Sequence, residues 1–204
     1  MHPIPALLLA SPLNDINETE LAALKEKYGD PVVNTFTADF LEFECNLVKR
    51  TESKGRLHDI TCFIRQDDGN FVVIQKPQYA RTGIYRAPSG GASPSEPLED
   101  AAIREMYEET GLTIRLTRFV LDLHLDVVCK DRTIPWRSLV FLAEPVDGEM
   151  EPVDTREIFD VTVMSREQLV GNVAALMEES GWGGFKYRAF LTREFFKRID
   201  ELNI

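Results

Sequence analysis

Apolar residues follow two different periods along the chain, one typical of helices and the other of strands. Residues 17–28 place their apolar side chains on one helical face, and Gly29 follows where helices commonly end. From Leu41 to Leu47 apolar residues instead occupy every second position, which predicts a strand. Residues 1–15 keep to neither period, so we expect them to be irregular.

The middle of the chain is rich in β-branched and aromatic residues. Residues 58–65 and 71–76 are two such runs, and the turn residues 67–70 between them predict a β-hairpin. Similar runs predict further strands at residues 84–87, 113–128, 138–143 and 161–164. Helices are predicted at residues 97–110, from Ser165 to about Met177, and at residues 192–202. Strands interspersed with helices indicate the α/β class, with a mixed β-sheet between helices on both faces.

Composition and charge argue against several classes of protein. Of the 204 residues, 44% are hydrophobic, which is enough for a folded core, and the net charge is −11. An acidic surface repels phosphate backbones, so we expect no nucleic-acid partner. No apolar run is long enough to span a bilayer, and the short apolar start lacks the basic residues of a signal peptide. We therefore expect a cytoplasmic protein with no membrane partner.

The three cysteines, Cys45, Cys62 and Cys129, are far apart and form neither a CxxC pair nor a metal-ligand spacing. Their number is odd and the chain is not small. We therefore expect reduced cysteines that act as small buried hydrophobic side chains.

The predicted helix of residues 97–110 is marked at both ends. Pro97 suits a first helical turn, because its missing N–H would have no helical partner there, and Gly111 suits a left-handed stop. Arg104 lies on this helix, eight residues after Glu96 in the preceding loop. A carboxylate bond from Arg104 would anchor the helix to that loop.

Glu105, Glu108 and Glu109 carry the strongest chemical signal in the chain. Their spacing of three and four residues places them on one helical face. Three like charges destabilise a helix, and the arrangement makes sense if a divalent cation neutralises them. Ligands that are all oxygen favour Mg²⁺, or Mn²⁺, over zinc.

These residues fill a complete pattern, G-x5-E-x7-R-E-U-x-E-E-x-G-U, in which U is a bulky apolar residue. Its defined positions are Gly90, Glu96, Arg104, Glu105, Met106, Glu108, Glu109, Gly111 and Leu112. The run resembles the Nudix box, and the likeness extends more loosely over residues 56–180. It implies a Nudix-like α/β/α sandwich for residues 56–204, with residues 1–55 as an N-terminal extension of one short helix and one strand.

The resemblance also implies a reaction and its residues. Nudix proteins typically hydrolyse the diphosphate bond of a nucleoside diphosphate linked to another moiety X, so the implied partner is a small molecule. Glu105, Glu108 and Glu109 would bind the Mg²⁺, with a loop carbonyl near Ser89 or Gly90. Glu105 would act as the base, and Arg104, together with Glu96, would position it.

A further metal ligand often comes from a loop before the late strand. Glu157 is the candidate here, with Asp154 or Asp160 as alternatives, and an acid that is merely solvated in the loop is an equally open interpretation. Candidates for binding the substrate are Lys76, Arg86, Trp136 and Arg188. The three bases could equally be solvated, and Trp136 could pack in the core.

A second hypothesis, from a different class, is a Nudix-fold sensor that binds a nucleotide without catalysis. Such a sensor would normally carry a DNA-binding appendage, and residues 1–55 have no basic cluster and do not resemble a helix-turn-helix. A homodimer contact and a lid over the pocket are both open roles for this segment.

Overall fold

Two β-sheets and six helices make up the computed structural model, which describes residues 16–204. The strands are β1 Val32–Asp39, β2 His58–Ile64, β3 Phe71–Gln75, β4 Ser89–Gly90, β5 Leu112–Val128, β6 Thr133–Gly148 and β7 Asp160–Met164. The helices are α1 Glu18–Tyr28, α2 Glu42–Glu52, α3 Leu98–Thr110, α4 Arg166–Gln168, α5 Ala174–Glu179 and α6 Gly183–Leu202. Within the described residues, no helix is long and apolar enough to cross a membrane.

The larger sheet is mixed, with the strand order β1-β5-β6-β2-β4. β1 runs parallel to β5, β2 runs parallel to β6, and the long strands β5 and β6 are antiparallel. β3 and β7 form a separate antiparallel pair. This arrangement confirms the predicted α/β class and mixed sheet.

Side chains of the larger sheet alternate between two apolar layers, as the period of a strand requires. On β2, Ile60 and Cys62 share one layer with α1 and α3, whereas Phe63 lies in the other layer against α6. Phe63 stacks on Phe195 of α6 with ring centroids 3.8 Å apart. The sheet is therefore covered by helices on both faces, and β2 is buried throughout.

The helix that carries the glutamates has the predicted ends. α3 covers Leu98–Thr110, with Pro97 at its N-cap and Gly111 in the left-handed conformation, at φ 76°. A Cβ atom at Gly111 would lie 2.3 Å from the carbonyl oxygen of Glu151. Both the backbone angle and the close approach therefore favour glycine there.

The predicted strand at residues 40–47 is wrong, because these residues begin helix α2. The apolar side chains that suggested a strand do not share a buried face: Phe43 and Leu47 are 42% and 51% exposed, while Glu44 is buried. The strand of this region is β1, which lies earlier, in the stretch that follows Pro31. Long-range contacts have overridden the local pattern.

Strands at both arms of the predicted hairpin are confirmed, but their pairing with each other is not. β2 pairs with β4 and β6, and β3 pairs with β7. One isolated bridge, between Arg65 and Phe71, joins the two arms beside the turn. The turn itself forms as expected, with Gly69 at φ 84°.

The last helix begins earlier than predicted, at Gly183 rather than Thr192. The backbone N–H groups of Gly183 and Gly184 donate to the Glu44 carboxylate at 3.1 and 2.9 Å. A capping carboxylate 139 residues away compensates for two glycines that disfavour a helix locally. Ser165 caps α4 as predicted, and a π-helical turn at Leu169–Val173 joins α4 to α5.

The cysteines are buried as expected, but two of them are not reduced. Cys45 of α2 and Cys129 after β5 form a disulfide, and Cys62 is free. The pairing of β1 with β5 brings these distant residues together, because Asp39 lies opposite Val128 and α2 starts just after β1. Separations along the chain could not reveal this contact.

We expect one free thiol in the oxidised, denatured protein and three after reduction, counted with a thiol reagent. Because the bridge closes a loop of 84 residues, Cys129→Ser should lower the free energy of unfolding by about 4 kcal/mol. Cys62→Ala is the control, and it should leave the bridge intact. Three thiols before any reduction would contradict the Cys45–Cys129 bridge.

Candidate active site

Arg104 is the centre of the contacts that hold α3 against the preceding loop. Its Nε and Nη2 atoms donate to the two carboxylate oxygens of Glu96 at 2.7 and 2.8 Å. Its Nη1 atom donates to Glu105 at 2.9 Å and to Glu108 at 3.3 Å. The bidentate bond to Glu96 anchors the helix to the loop, as the spacing predicted.

Glu105 lies directly under the glycines of the loop. The backbone N–H of Gly91 donates to it at 3.3 Å. A Cβ atom at Gly90 would lie 2.0 Å from the Glu105 carboxylate, so a larger residue there would displace this carboxylate. Burial raises the pKa of Glu105, and the charge of Glu109 raises it further, against the opposing effect of Arg104.

Glu109 is the buried member of the acidic set, at 5% exposure. One of its oxygens accepts a hydrogen bond from the backbone N–H of Ser89 at 2.8 Å. The other lies 3.1 Å from Nζ of Lys76 and 3.7 Å from a guanidinium nitrogen of Arg86. Two cations therefore compensate this carboxylate, as burial of a charge requires.

The donor set can be compared with what a divalent cation needs. Glu105 and Glu109 face the same loop and offer only oxygen, which fits a hard cation such as Mg²⁺. Burial, with a smaller contribution from the charge of Glu109, raises the pKa of Glu105, and a bound cation would favour its ionised form. The Glu108 side chain is 46% exposed and turns toward Arg104. Between residues 16 and 204, no three acidic, histidine or cysteine side chains converge as a ready-made metal site.

A cavity of about 610 Å³ opens beside Lys76 and Arg86. It also contains Arg188 and Glu157, so it brings together three of the four predicted substrate-binding residues with the predicted fourth metal ligand. Glu157 is 68% exposed, and its carboxylate lies 3.3 Å from Nζ of Lys76. The alternatives to Glu157 have other partners: Asp154 caps its own turn, and Asp160 accepts a 2.6 Å bond from Tyr85.

One wall of this cavity comes from α2 and the start of α6. Phe43 and Leu47 line it from α2, and Trp182 and Phe185 line it from the start of α6. The rings of Trp182 and Phe185 stack at 4.8 Å, and Phe43 meets Trp182 edge-on. The cavity therefore combines a cationic end with an aromatic end.

Arg188 is fixed from the sheet. It donates to Asp59 at 2.7 Å, to Thr61 at 2.8 Å and to Oγ of Ser89 at 3.1 Å. Asp59 and Thr61 lie on β2 and point to the α6 side, so the strand register aims this arginine at the loop before α3.

Trp136, the remaining predicted residue, does not line the cavity of 610 Å³. It lies on β6, where it borders a smaller cavity of about 160 Å³ that also contains Asp59 and Arg188. A wider cavity of about 750 Å³ lies on the other side of the loop, against Arg56, His58 and Glu96. Glu105, Glu108 and Glu109 line neither of these two larger cavities. We place the chemistry beside the cavity of 610 Å³ because Lys76 and Arg86, which contact the Glu109 carboxylate, line it.

Three residues of the site were not predicted: Asp59, Ser89 and Glu44. Asp59 had a usable signal, because a carboxylate inside a strand of mainly apolar residues requires a partner if it is buried. Ser89 was considered only for its backbone carbonyl, as a possible metal ligand. Glu44 was hidden because its segment was predicted to be a strand.

Comparisons with known proteins point to one family. A family model described as the NUDIX domain matches residues 56–183. The chain is 29% identical over 111 residues to the NAD-capped RNA hydrolase NudC of Photorhabdus laumondii, a match that covers 52% of this chain. The match covers only 38% of that relative, so the chain spans well under half of its length.

Two solved structures are also similar. A MutT NUDIX hydrolase from Burkholderia pseudomallei shares 25% identity, with a TM-score of 0.44, over 55% of this chain and 84% of that one. A NUDIX hydrolase from Nitrosomonas europaea shares 19% identity, with a TM-score of 0.47, over 61% of this chain and 88% of that one.

The Glu96–Arg104 pair gives a prediction for acid stability. The hydrogen bond from Arg104 lowers the pKa of Glu96 from 4.5 to about 2, although partial burial acts in the opposite direction. Ionised Glu96 therefore stabilises the fold above about pH 4.5, and this contribution is lost as the pH falls toward 2. We expect Glu96→Gln to lower the free energy of unfolding by about 1 kcal/mol at pH 7.

Urea denaturation between pH 7 and pH 2 measures this effect. The gap between the wild type and Glu96→Gln should close as the pH falls below 4.5. The exposed Glu151→Gln variant serves as the control. A gap that stays constant across this range would contradict the assignment.

Proposed function

The chain belongs to the NUDIX family, and we propose that it is a Mg²⁺-dependent hydrolase that cleaves the diphosphate bond of a nucleoside diphosphate linked to another moiety X. The observation that carries the proposal is the position of the Glu109 carboxylate. It is buried on the helix of the box, next to Glu105, and it is bonded to the two cations, Lys76 and Arg86, that open into the cavity of 610 Å³.

The cavity supports a phosphorylated substrate by its charges. Lys76, Arg86 and Arg188 line it together, and a diphosphate carries charge on each of its two phosphoryl groups. The aromatic end, at Trp182 and Phe185, suits a planar ring of the nucleoside or of X. These features favour a small molecule over a polymer, because the chain as a whole carries a net charge of −11.

Glu105 and Glu109 would hold the metal ion, with Glu108 and Glu157 as further carboxylates that must turn from Arg104 and Lys76 to reach it. When bound, Mg²⁺ would neutralise phosphoryl charge and lower the pKa of the attacking water. Glu105 would accept the proton of that water at its carboxylate, for which a pKa raised by burial is suitable. Arg104 would keep the carboxylate in place through its 2.9 Å bond.

The reaction adds water across the anhydride. The water oxygen bonds to one phosphorus, the bridging oxygen leaves with the other, and one phosphorylated product is released from each side. Lys76, Arg86 and Arg188 would bind the charged phosphoryl oxygens of the substrate and hold them equally throughout the reaction.

A panel of diphosphates tests the proposal. The purified protein, with Mg²⁺, should hydrolyse at least one of ADP-ribose, NAD, nucleoside diphosphate sugars and dinucleoside polyphosphates, measured by product release, and a chelator should abolish the activity. NAD is included because the Photorhabdus relative is named for the hydrolysis of NAD-capped RNA. Tight nucleotide binding without turnover across the panel would favour the sensor instead.

Glu109→Gln should reduce the rate by about 10³-fold, because it removes the charge that faces the metal and the two cations. The amide oxygen can still accept the Ser89 N–H, so we expect the protein to stay folded by circular dichroism. Glu178→Gln is the matched control, since Glu178 pairs with Arg193 at an exposed site and should leave the rate unchanged. A Glu109→Gln enzyme with the wild-type rate would contradict the assignment.

A further inference from the structure

The side chain of Ser89 joins two arginines that come from different parts of the chain. Its Oγ accepts a hydrogen bond from Nη1 of Arg86 at 2.8 Å and from Nη2 of Arg188 at 3.1 Å. Arg86 precedes the box loop, whereas Arg188 lies on α6. Both guanidinium groups are mostly buried, and both line the cavity of 610 Å³.

We propose that Ser89 is a positioning residue that holds Arg86 and Arg188 together as one clamp for a phosphoryl group. The inference that the natural ligand of the clamp is a diphosphate rests on the proposed function. In this proposal the Ser89 hydroxyl contributes to substrate selection, whereas the Ser89 backbone N–H does not.

Each arginine also donates hydrogen bonds to residues that the other arginine does not contact. Arg86 donates to the hydroxyl of Tyr79 at 3.1 Å and to the carbonyl of Ala87 at 2.9 Å. Arg188 donates to Asp59 and Thr61 on β2. Among the hydrogen bonds of the described residues, Ser89 Oγ is the acceptor that these two arginines share.

The shared acceptor brings two like charges close together. Two guanidinium groups that meet at one oxygen repel each other, and the buried setting screens that repulsion less than water would. Asp59 beside Arg188 and Glu109 beside Arg86 offset part of it. An anion with several oxygens relieves the repulsion and accepts bidentate bonds, which planar guanidinium groups suit best among cationic side chains. A phosphoryl group has this charge and this geometry, and the clamp opens into the cavity beside Glu109.

The backbone N–H and the side-chain hydroxyl of Ser89 bind different partners, so a substitution can remove one contact and keep the other. Its backbone N–H donates to Glu109, and any residue except proline keeps this bond. Its hydroxyl serves the arginines alone, so alanine removes the clamp acceptor and leaves the Glu109 contact in place. Threonine restores a hydroxyl at the same position.

Calorimetric titration with inorganic pyrophosphate, at constant Mg²⁺, tests the clamp without any need for turnover. We expect Ser89→Ala to weaken binding about 10-fold, because two bonds from charged donors are lost. Ser89→Thr should bind within about threefold of the wild type, because its hydroxyl oxygen can again accept hydrogen bonds from both arginines. Ser53→Ala, which removes an exposed hydroxyl at the end of α2, is the control.

Equal affinity of the wild type and Ser89→Ala would overturn the proposal, and so would a wild type that does not bind pyrophosphate. A Ser89→Thr variant that is folded but as weak as Ser89→Ala would overturn it too. On any substrate that the panel identifies, Ser89→Ala should raise KM about 10-fold and leave kcat nearly unchanged. A fall in kcat alone would contradict a role in the clamp.

The result separates the clamp from the reaction. If no diphosphate is hydrolysed but pyrophosphate binding depends on the Ser89 hydroxyl, the clamp stands and the proposed function fails. If hydrolysis is found and Ser89→Ala has the KM and affinity of the wild type, the proposed function stands and the clamp fails.

Discussion

The burial of one carboxylate, that of Glu109, determines how the rest of the site is arranged. An ionised group at 5% exposure is tolerated only if its charge is matched and its oxygens are bonded. Lys76 comes from the end of β3, Arg86 from the segment before the loop, and the Ser89 amide from β4. Three separate segments thus converge on α3 because its last turn places a charge inside the protein.

The ends of α3 and the Glu96–Arg104 contact could be predicted from the sequence, because they depend on local features. Pro97, Gly111 and the spacing of the glutamates act within one helix and its loop, where periodicity and capping rules apply. Arg104 could be paired with Glu96 from their separation alone. Lys76, Arg86 and Arg188 were predicted singly, and only the fold shows that they meet in one cavity.

Features that depend on distant contacts were missed. The pattern from Leu41 to Leu47 suggested a strand, yet α2 forms there and buries Glu44 against α6. The start of α6 and the Cys45–Cys129 bridge were missed for the same reason, since both depend on β1 lying beside β5. Part of the cavity wall lies on α2, before residues 56–183 that match the family. Features of this chain beyond the family pattern therefore shape the aromatic end of the cavity.

The parallel pairing of β1 with β5 also bears on how the protein behaves in the test tube. Eight residues of β1, Val32–Asp39, cover the edge of β5 from Leu121 to Val128, where apolar side chains are common. A fragment cut to begin at residue 56 would leave the backbone amides and carbonyls of that edge unpaired. Such edges recruit strands from other molecules, so this fragment should aggregate or enter inclusion bodies even though it keeps all of helix α3.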